Sequence, residues 1–520
     1  MIFSRPVVRY LALILILLLA AYLRLANHTD NPGWYTDEGT HIDIAQNLVR
    51  GRVQYMVINQ STLLFARMPL FEFALAGLLR VWYDGIGTLR AFTGVVGVLS
   101  VGMLFWVVWR CEKDSFLALL SALMLAIYPQ AVLYSRFGFS YNLLVPLMLL
   151  AYLGLWEYLS TTRRRWLMLV AGSIGIGITC DLTMGALVVS LIVVVISRRW
   201  HDLLWSLPVC MLPFGIYSAI MILTVPQPFF FDLQWTFSRL GGVSLADQMS
   251  TLALNYTTLI SQDFWMLSGV IGLFLLRPLR LQRLSLLLLI SPIVIMGRTE
   301  ALYNLSFYYM IPLLPLVALG VASLIKFGVP YVFWSAQASL QTLFRQSPGF
   351  ALHRWLGVAG GVLALLLIVG SPFLVTIGLT LENISNRYQT AIDPFLLDVG
   401  DARRVASFVN DYTKQDDLVV ASPGIGWSFN TRTADYQMVI ASRGEASVHL
   451  PANIPHDRFA FDPYYTQARL VVVDNLWHNW AAMHMPGVLR MLRDVETWPL
   501  VFQAGAFDVY ENPDLGTRDD

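Results

Sequence analysis

The chain has 520 residues, of which 56% are hydrophobic and only 13% are charged. Soluble globular domains carry about 25% charged residues, so this composition excludes an ordinary soluble protein. The formal net charge is +1, and the basic residues stand in short clusters between apolar runs, so we expect no nucleic-acid partner.

The apolar runs predict about eleven transmembrane helices, because a helix needs about 20 apolar residues to cross the hydrocarbon layer. The segment before residue 25 resembles a signal peptide, but we interpret it as a retained first span. The predicted spans are approximately 8–25, 88–109, 115–133, 141–159, 166–180, 184–197, 203–223, 262–276, 284–297, 308–325 and 356–379.

The basic clusters predict the orientation of these spans. Arg5 and Arg9, the run Arg163 to Arg165, and the later clusters at 198–199 and 277–283 all fall on one side. By the positive-inside rule this side is cytoplasmic. We therefore expect a multi-pass plasma (inner) membrane protein of a prokaryotic envelope, with a cytoplasmic N-terminus and an extracytoplasmic C-terminal end.

Two parts are predicted: a transmembrane module over 1–379, with a first outer loop at 26–87, and an extracytoplasmic domain over 380–520. β-rich runs at 418–422, 469–475 and 507–511 alternate with helical spacing at 401–412 and 488–494. This pattern predicts a small α/β domain. The long outer loop 224–261 is a candidate lid over a site at the membrane surface.

The first outer loop holds the acidic pair Asp37 and Glu38, directly after Thr36. On one interpretation Thr36 is the N-cap of a helix that runs to Val49, and the two carboxylates favour the positive end of its dipole. On the other, a carboxylate held at the membrane surface takes a proton from an acceptor hydroxyl. The residues alone leave both open.

Several motifs in order resemble one family. The acidic pair is followed by Arg67-Met-Pro-Leu, which opens an amphipathic helix, and by a Leu-Arg before the second span. Further motifs are Tyr134-Ser-Arg-Phe-Gly-Phe-Ser-Tyr-Asn and Ser306-Phe-Tyr-Tyr-Met-Ile-Pro. Over roughly 1–325 the chain resembles the GT-C fold membrane glycosyltransferases, in particular the protein O-mannosyltransferase and aminoarabinose transferase group.

The resemblance implies a reaction and its residues. The donor would be a sugar on a polyprenyl-phosphate carrier, and an acceptor hydroxyl of a protein, lipid or glycan would displace the lipid phosphate with inversion. Asp37 matches the base position, with Glu38 as its catalytic neighbour, and Arg67 matches the cation that faces the phosphate. Arg136 and Arg298 are further candidates for phosphate binding, although arginines at span ends also reach to the interface without a ligand.

His41, Tyr308 and Tyr309 are candidate substrate contacts. His41 and Asp43 follow Asp37 closely enough to raise the question of a metal ion. A stable metal site usually needs three or more protein ligands, and no further histidine stands nearby. We therefore expect no cofactor, with a divalent metal ion as the less favoured alternative.

One motif departs from the family. Where the family often has Leu-Thr-Lys-Gly, this chain has Leu182-Thr-Met-Gly, and the neighbouring Asp181 would repel a phosphate. Two alternatives therefore stay open: a transporter or flippase for a lipid-linked sugar, and a non-catalytic protein that binds one. Paired repeats and charged spans, which are typical of transporters, are not evident.

Overall fold

A computed structural model describes residues 6–60, 68–238, 244–296, 307–328, 370–385 and 395–515, with a few single positions between 330 and 363. Most of these residues are helical. Up to the tail, the helices are α1 Pro6–Leu25, α2 Thr36–Val49, α3 Pro69–Val81, α4 Gly85–Glu112, α5 Ser115–Ile127, α6 Pro129–Arg136, α7 Tyr141–Thr161, α8 Arg164–Ile178, α9 Leu187–Ile196, α10 Leu203–Thr224, α11 Pro226–Ser238, α12 Leu245–Gln262, α13 Phe264–Leu273, α14 Leu279–Met296, α15 Leu314–Ser323 and α16 Ser371–Ser385.

Within the described residues, five helical segments are long and apolar enough to cross a membrane, or six if the bent pair α5–α6 is one span. The five are Pro6–Leu25, Gly85–Glu112, Tyr141–Thr161, Trp200–Thr224 and Tyr309–Gly328. Shorter apolar helices cover several of the other predicted spans. A polytopic helical membrane protein is therefore confirmed, whereas the count of eleven spans is not.

The third predicted span is interrupted, and side chains from other helices donate hydrogen bonds to the carbonyls at the interruption. α5 and α6 meet at Pro129 with a bend of 56°, because proline cannot donate the next helical hydrogen bond. The carbonyls at the end of α5 need other donors. Arg24 donates to Leu125 O and Ala126 O, both at 2.9 Å, and the Thr380 hydroxyl donates to Ile127 O at 3.2 Å.

The tail is an α/β domain around a five-stranded sheet, with the strand order β6 (Arg432–Ala434), β5 (Leu418–Val420), β7 (Leu470–Val473), β9 (Phe507–Glu511) and β8 (Leu500–Ala504). The central strands β5 and β7 are buried along their whole length, as expected for strands covered on both faces. β5 is parallel to β6 and β7, and β9 is antiparallel to β7 and β8. The helices are α17 Val399–Tyr412, α18 Pro423–Gly426, α19 Tyr436–Ala441, α20 Ala482–His484 and α21 Pro486–Val495.

The first outer loop and the tail pack together as one body. Strand β1 (Trp34–Tyr35) pairs antiparallel with β4 (Leu396–Leu397) of the tail. A hairpin of β2 (Gln54–Tyr55) and β3 (Ile58–Asn59) joins a hydrophobic core with tail residues. The predicted boundary at 379/380 therefore separates the first outer loop from a tail with which it shares hydrophobic cores.

Candidate active site at the junction of loop and tail

Helix α2 carries Asp37 in its first turn, where the side chain is half-buried. The helix begins at Thr36, and Tyr35 is its N-cap; the prediction of Thr36 as N-cap was wrong by one residue. The backbone N–H of Tyr35 donates to Glu38 Oε2 at 3.0 Å, so a carboxylate in the first turn closes the helix end.

Glu38 is fully buried and bound to Arg90 of α4. Arg90 Nε donates to Glu38 Oε1 at 2.7 Å, and Nη2 donates to Oε2 at 2.6 Å. The backbone N–H of Gly138 also donates to Oε1, at 2.8 Å. Because Glu38 is inaccessible and already accepts four hydrogen bonds, its role here is structural, which differs from the catalytic role predicted for it.

Arg90 also binds the stretch of chain before the acidic pair. It donates to the carbonyls of His28 at 3.0 Å, Pro32 at 2.7 Å and Gly33 at 2.7 Å. A guanidinium has five N–H groups, and these bonds together with those to Glu38 engage them all. Arg90 was not singled out by the sequence analysis; the signal was the Leu-Arg before the second span, whose partner cannot be identified from local sequence.

The first turn of α2 lies where the turn between α6 and α7 meets the tail. Tyr35 contacts the rings of Phe137 and Phe139, at centroid distances of 5.5 and 5.3 Å, in the turn between α6 and α7. It also contacts Phe395 of the tail at 6.0 Å. Asp37 therefore stands two residues beyond a cluster that joins the helical bundle to the tail.

His41, one turn after Asp37, is fully buried, so it is not placed as the substrate contact that was predicted. Its Nδ1 lies 3.0 Å from Oε1 of Glu72 on α3, and its ring packs edge-on against Phe71. Within the described part of the chain, the second oxygen of Glu72 is buried and has no hydrogen-bond partner. Sequence reasoning missed Glu72, because a single acid in an apolar helix carries no local signal of its partner.

Arg136 is also fully buried, and carbonyl groups occupy its guanidinium. It donates to Leu23 O at 3.0 Å, Ala26 O at 2.7 Å, Asn27 O at 3.1 Å and Asn31 O at 2.8 Å. These carbonyls lie at and beyond the end of α1, where a cation is favourable. In this position the guanidinium of Arg136 caps the end of α1, and its predicted contact with a phosphate stays a prediction.

The other predicted contacts are only partly described. Arg67, Arg298 and the side chain of Tyr308 lie outside the described residues. Tyr309 is half-buried and packs against Tyr141 with ring centroids 5.1 Å apart. No group of three or more His, Cys, Asp or Glu side chains that could hold a metal ion occurs among the residues described.

Met184 is buried where the family often has a lysine. It lies in a short 3₁₀ helix, Leu182–Ala186, and its side chain fills the space beside Gly177 of α8. Asp181 caps this turn, with its carboxylate accepting from Thr183 N at 2.9 Å. An apolar residue fits this packed position, and Asp181 has a local structural role.

The tail holds two buried acids at the ends of its parallel strands. Asp435 follows β6 and Asp474 follows β7, so both lie at the carboxyl edge of the parallel strands. Burial raises the pKa of each carboxyl to about 6, although hydrogen bonds to each oppose the shift. On α2 itself, burial raises the pKa of Asp43 to about 6, against bonds from Met56 N and Asn47.

Solved structures of other proteins have a similar fold. The chain superposes on ArnT from Cupriavidus metallidurans bound to undecaprenyl phosphate, with a TM-score of 0.62, 13% identity, and coverage of 97% of this chain and 98% of ArnT. It superposes on AglB from Archaeoglobus fulgidus, an archaeal oligosaccharyltransferase in complex with an inhibitory peptide and a dolichol-phosphate. That match has a TM-score of 0.55, 11% identity, and coverage of 100% of this chain and 75% of AglB.

The chain has a GT-C fold. Residues 66–227 also match the family model described as dolichyl-phosphate-mannose-protein mannosyltransferase. No curated protein matches the sequence. The GT-C resemblance inferred from the motifs is thereby confirmed, and the structural matches extend beyond the 1–325 region in which those motifs lie.

Proposed function

We propose that this GT-C protein is a glycosyltransferase that moves a sugar from a polyprenyl-phosphate carrier to an acceptor hydroxyl, with inversion, at the outer face of the membrane. The position of Asp37 carries the proposal. It lies half-buried in the first turn of α2, on a helix that the Glu38–Arg90 pair fixes to the outer ends of the spans. The likeness to ArnT, whose structure contains undecaprenyl phosphate, and to AglB, whose structure contains a dolichol-phosphate, supports the class of carrier.

The proposed reaction requires a general base for the acceptor hydroxyl and a cation for the departing phosphate. The acceptor oxygen attacks the anomeric carbon while Asp37 takes the hydroxyl proton. The bond between that carbon and the phosphate oxygen breaks, and the phosphate keeps the electron pair. A single displacement of this kind inverts the anomeric centre.

Arg67 is proposed to bind the departing phosphate, with Arg298 as a second cation. A guanidinium can donate two parallel hydrogen bonds to phosphate oxygens, which suits a group that gains negative charge as it leaves. Glu38 and Arg136 are not included, because their buried hydrogen bonds engage them elsewhere. No step requires a metal ion or other cofactor. We propose a cytoplasmic N-terminus and an extracytoplasmic tail in a prokaryotic inner membrane.

Sugar transfer in membranes tests the proposal. Membranes that contain the protein are incubated with radiolabelled polyprenyl-phosphate sugars, and label that leaves the polyprenyl-phosphate carrier is followed over time. Protein-dependent transfer that yields the opposite anomer of the donor supports the proposal. Label that crosses the membrane while still attached to its carrier would identify a flippase instead. Donor binding without either would identify a non-catalytic binder.

A further inference from the structure

A buried ion pair joins the tail to the outer helix α11. Arg458 of the tail donates from Nη2 to Asp232 Oδ2 at 3.2 Å and from Nη1 to Oδ1 at 3.3 Å. Both side chains are only 2% exposed. Asp232 lies on α11, in the outer loop predicted as a lid, and the two residues are separated by more than two hundred positions in the chain.

The same arginine holds the hairpin of the first outer loop. Arg458 Nε donates to the carbonyl of Asn59 at 3.0 Å. Its neighbour Phe459 forms a bridge with Ile58, and Ala460 N donates to Val57 O at 2.9 Å. One guanidinium therefore ties the tail, the β2–β3 hairpin and α11 together.

A second contact of α11 involves Met68, the residue before α3. Phe229, three residues before Asp232, is 3% exposed and packs in a small apolar cluster with Met68, which is 1% exposed. Residues three apart lie on one face of a helix. That face of α11 thus contacts both the residue where the hairpin ends, through Arg458, and the residue from which α3 begins.

We propose that Asp232 and Arg458 are positioning residues for the transfer reaction. They dock the tail on α11 and on the β2–β3 hairpin, and the hairpin is bound to α2, since Met56 N donates to Asp43 Oδ2 at 2.6 Å. The inference rests on the proposed function, because α2 carries Asp37, the proposed base. It makes the tail a part of the active unit.

The electrostatics of a buried ion pair favours a positioning role for Asp232 and Arg458 over a stabilising role. Two ions taken out of water lose much of their hydration, so a buried pair often stabilises a protein no more than apolar residues of similar size. Its geometry is nevertheless selective, since a wrong arrangement leaves a buried charge unpaired. A displacement of about 1 Å in a catalytic group can cost about 100-fold in rate.

The test compares Asp232→Asn, Arg458→Lys and the double charge swap Asp232→Arg/Arg458→Asp with the native protein. The matched control is the swap Arg443→Asp/Asp462→Arg, at an exposed pair 3.4 Å apart within the tail. Two quantities are measured: kcat and KM per folded molecule with a polyprenyl-phosphate sugar donor, and hydrogen exchange of the backbone amides in 54–60 and 226–238.

We expect Asp232→Asn to raise exchange in both segments together and to lower kcat/KM by about 10- to 100-fold. Arg458→Lys should give exchange and kcat/KM values between those of the native protein and Asp232→Asn. The lysine amine keeps the charge but cannot bind Asp232 and Asn59 in one plane. The double swap should recover part of the loss, and the control swap should change neither quantity. Exchange that rises only in 226–238, or native kcat/KM in a folded Asp232→Asn protein, would overturn the proposal. The exchange measurement decides the coupling even if the native protein transfers no sugar, a result that would count only against the proposed function.

Discussion

The carboxylate of Glu38 and the guanidinium of Arg90 form a fully buried, two-point ion pair, although 52 residues separate them in the chain. Through this pair the start of α2, the turn at Gly138 and the stretch from His28 to Gly33 share one set of hydrogen bonds. The neighbour of the proposed base is therefore fixed to the second long span.

Replacement of Glu38 by Gln should destabilise the protein severely. The change removes one charge of a buried pair and leaves Arg90 uncompensated, which typically costs about 3–5 kcal/mol. The free energy of unfolding in detergent, measured by denaturant titration of circular dichroism, checks this. Glu445→Gln at the exposed pair with Arg490 is the control and should change stability by less than about 1 kcal/mol. Equal effects of the two substitutions would show that the Glu38 pair is not structural.

The pair of His41 and Glu72 should behave as a structural pair. His41→Ala alone leaves Glu72 buried without a partner and should cost about 3–5 kcal/mol. The double variant His41→Phe/Glu72→Met replaces both polar groups by apolar ones of similar size and should recover most of that loss. Sugar transfer per folded molecule should return with it. A stable double variant that transfers no sugar would instead give the pair a part in the chemistry.

Gly39 allows helix α2 to pack closely against the tail. A Cβ at this position would lie 1.9 Å from the carbonyl oxygen of Pro423 in α18, so α2 would have to move away. Gly39→Ala should therefore destabilise the protein by about 1–3 kcal/mol and reduce transfer. Gly77→Ala on α3, where no atom of the described residues lies within 4 Å of the added Cβ, is the matched control and should stabilise by about 0.5–1 kcal/mol. Unfolding midpoints of both variants decide the point.

The tail should be more stable in mild acid than at neutral pH, as far as Asp435 contributes. Its pKa is raised from 3.8 to about 6 by burial, so the folded state binds the proton more tightly than the unfolded state. The contribution is present below pH 3.8 and is lost as the pH rises through about 6.

Asp435→Asn tests this sign. The amide oxygen can still accept the N-cap bond from Met438 N, which is 2.8 Å long in the native protein. Above pH 6 the variant should gain on the order of 1–3 kcal/mol over the native protein, and its unfolding should depend less on pH between 4 and 6. Asp416→Asn, at an exposed position, should match the native protein throughout. A less stable Asp435→Asn protein at pH 7.5 would contradict the assignment.

The sequence predicted what local patterns determine. Apolar runs placed most of the helices, and β-rich runs placed strands β5, β7 and β9 of the tail. The bend at Pro129 was missed because the apolar run continues through it, and β6 was missed because it has only three residues. β8 was also missed, although its residues are mostly apolar. The partners of the acidic motif could not be predicted, because Arg90, Glu72 and Leu397 approach α2 or β1 only after the chain has folded over long separations. Such contacts have no signature in the spacing of neighbouring residues.

Sugar transfer by Asp37→Asn tests the central claim most directly. The substitution keeps the shape of the side chain at the start of α2 and removes its capacity to take a proton. Asp30→Asn, in the same loop and half-exposed beside Arg403, serves as the control. With equal amounts of folded protein, we predict that Asp37→Asn loses about 10²–10⁴-fold in transfer rate while donor binding persists, and that Asp30→Asn matches the native protein. Native transfer rates in Asp37→Asn would contradict the account, and Asp37 would then be only a first-turn residue of a capped helix.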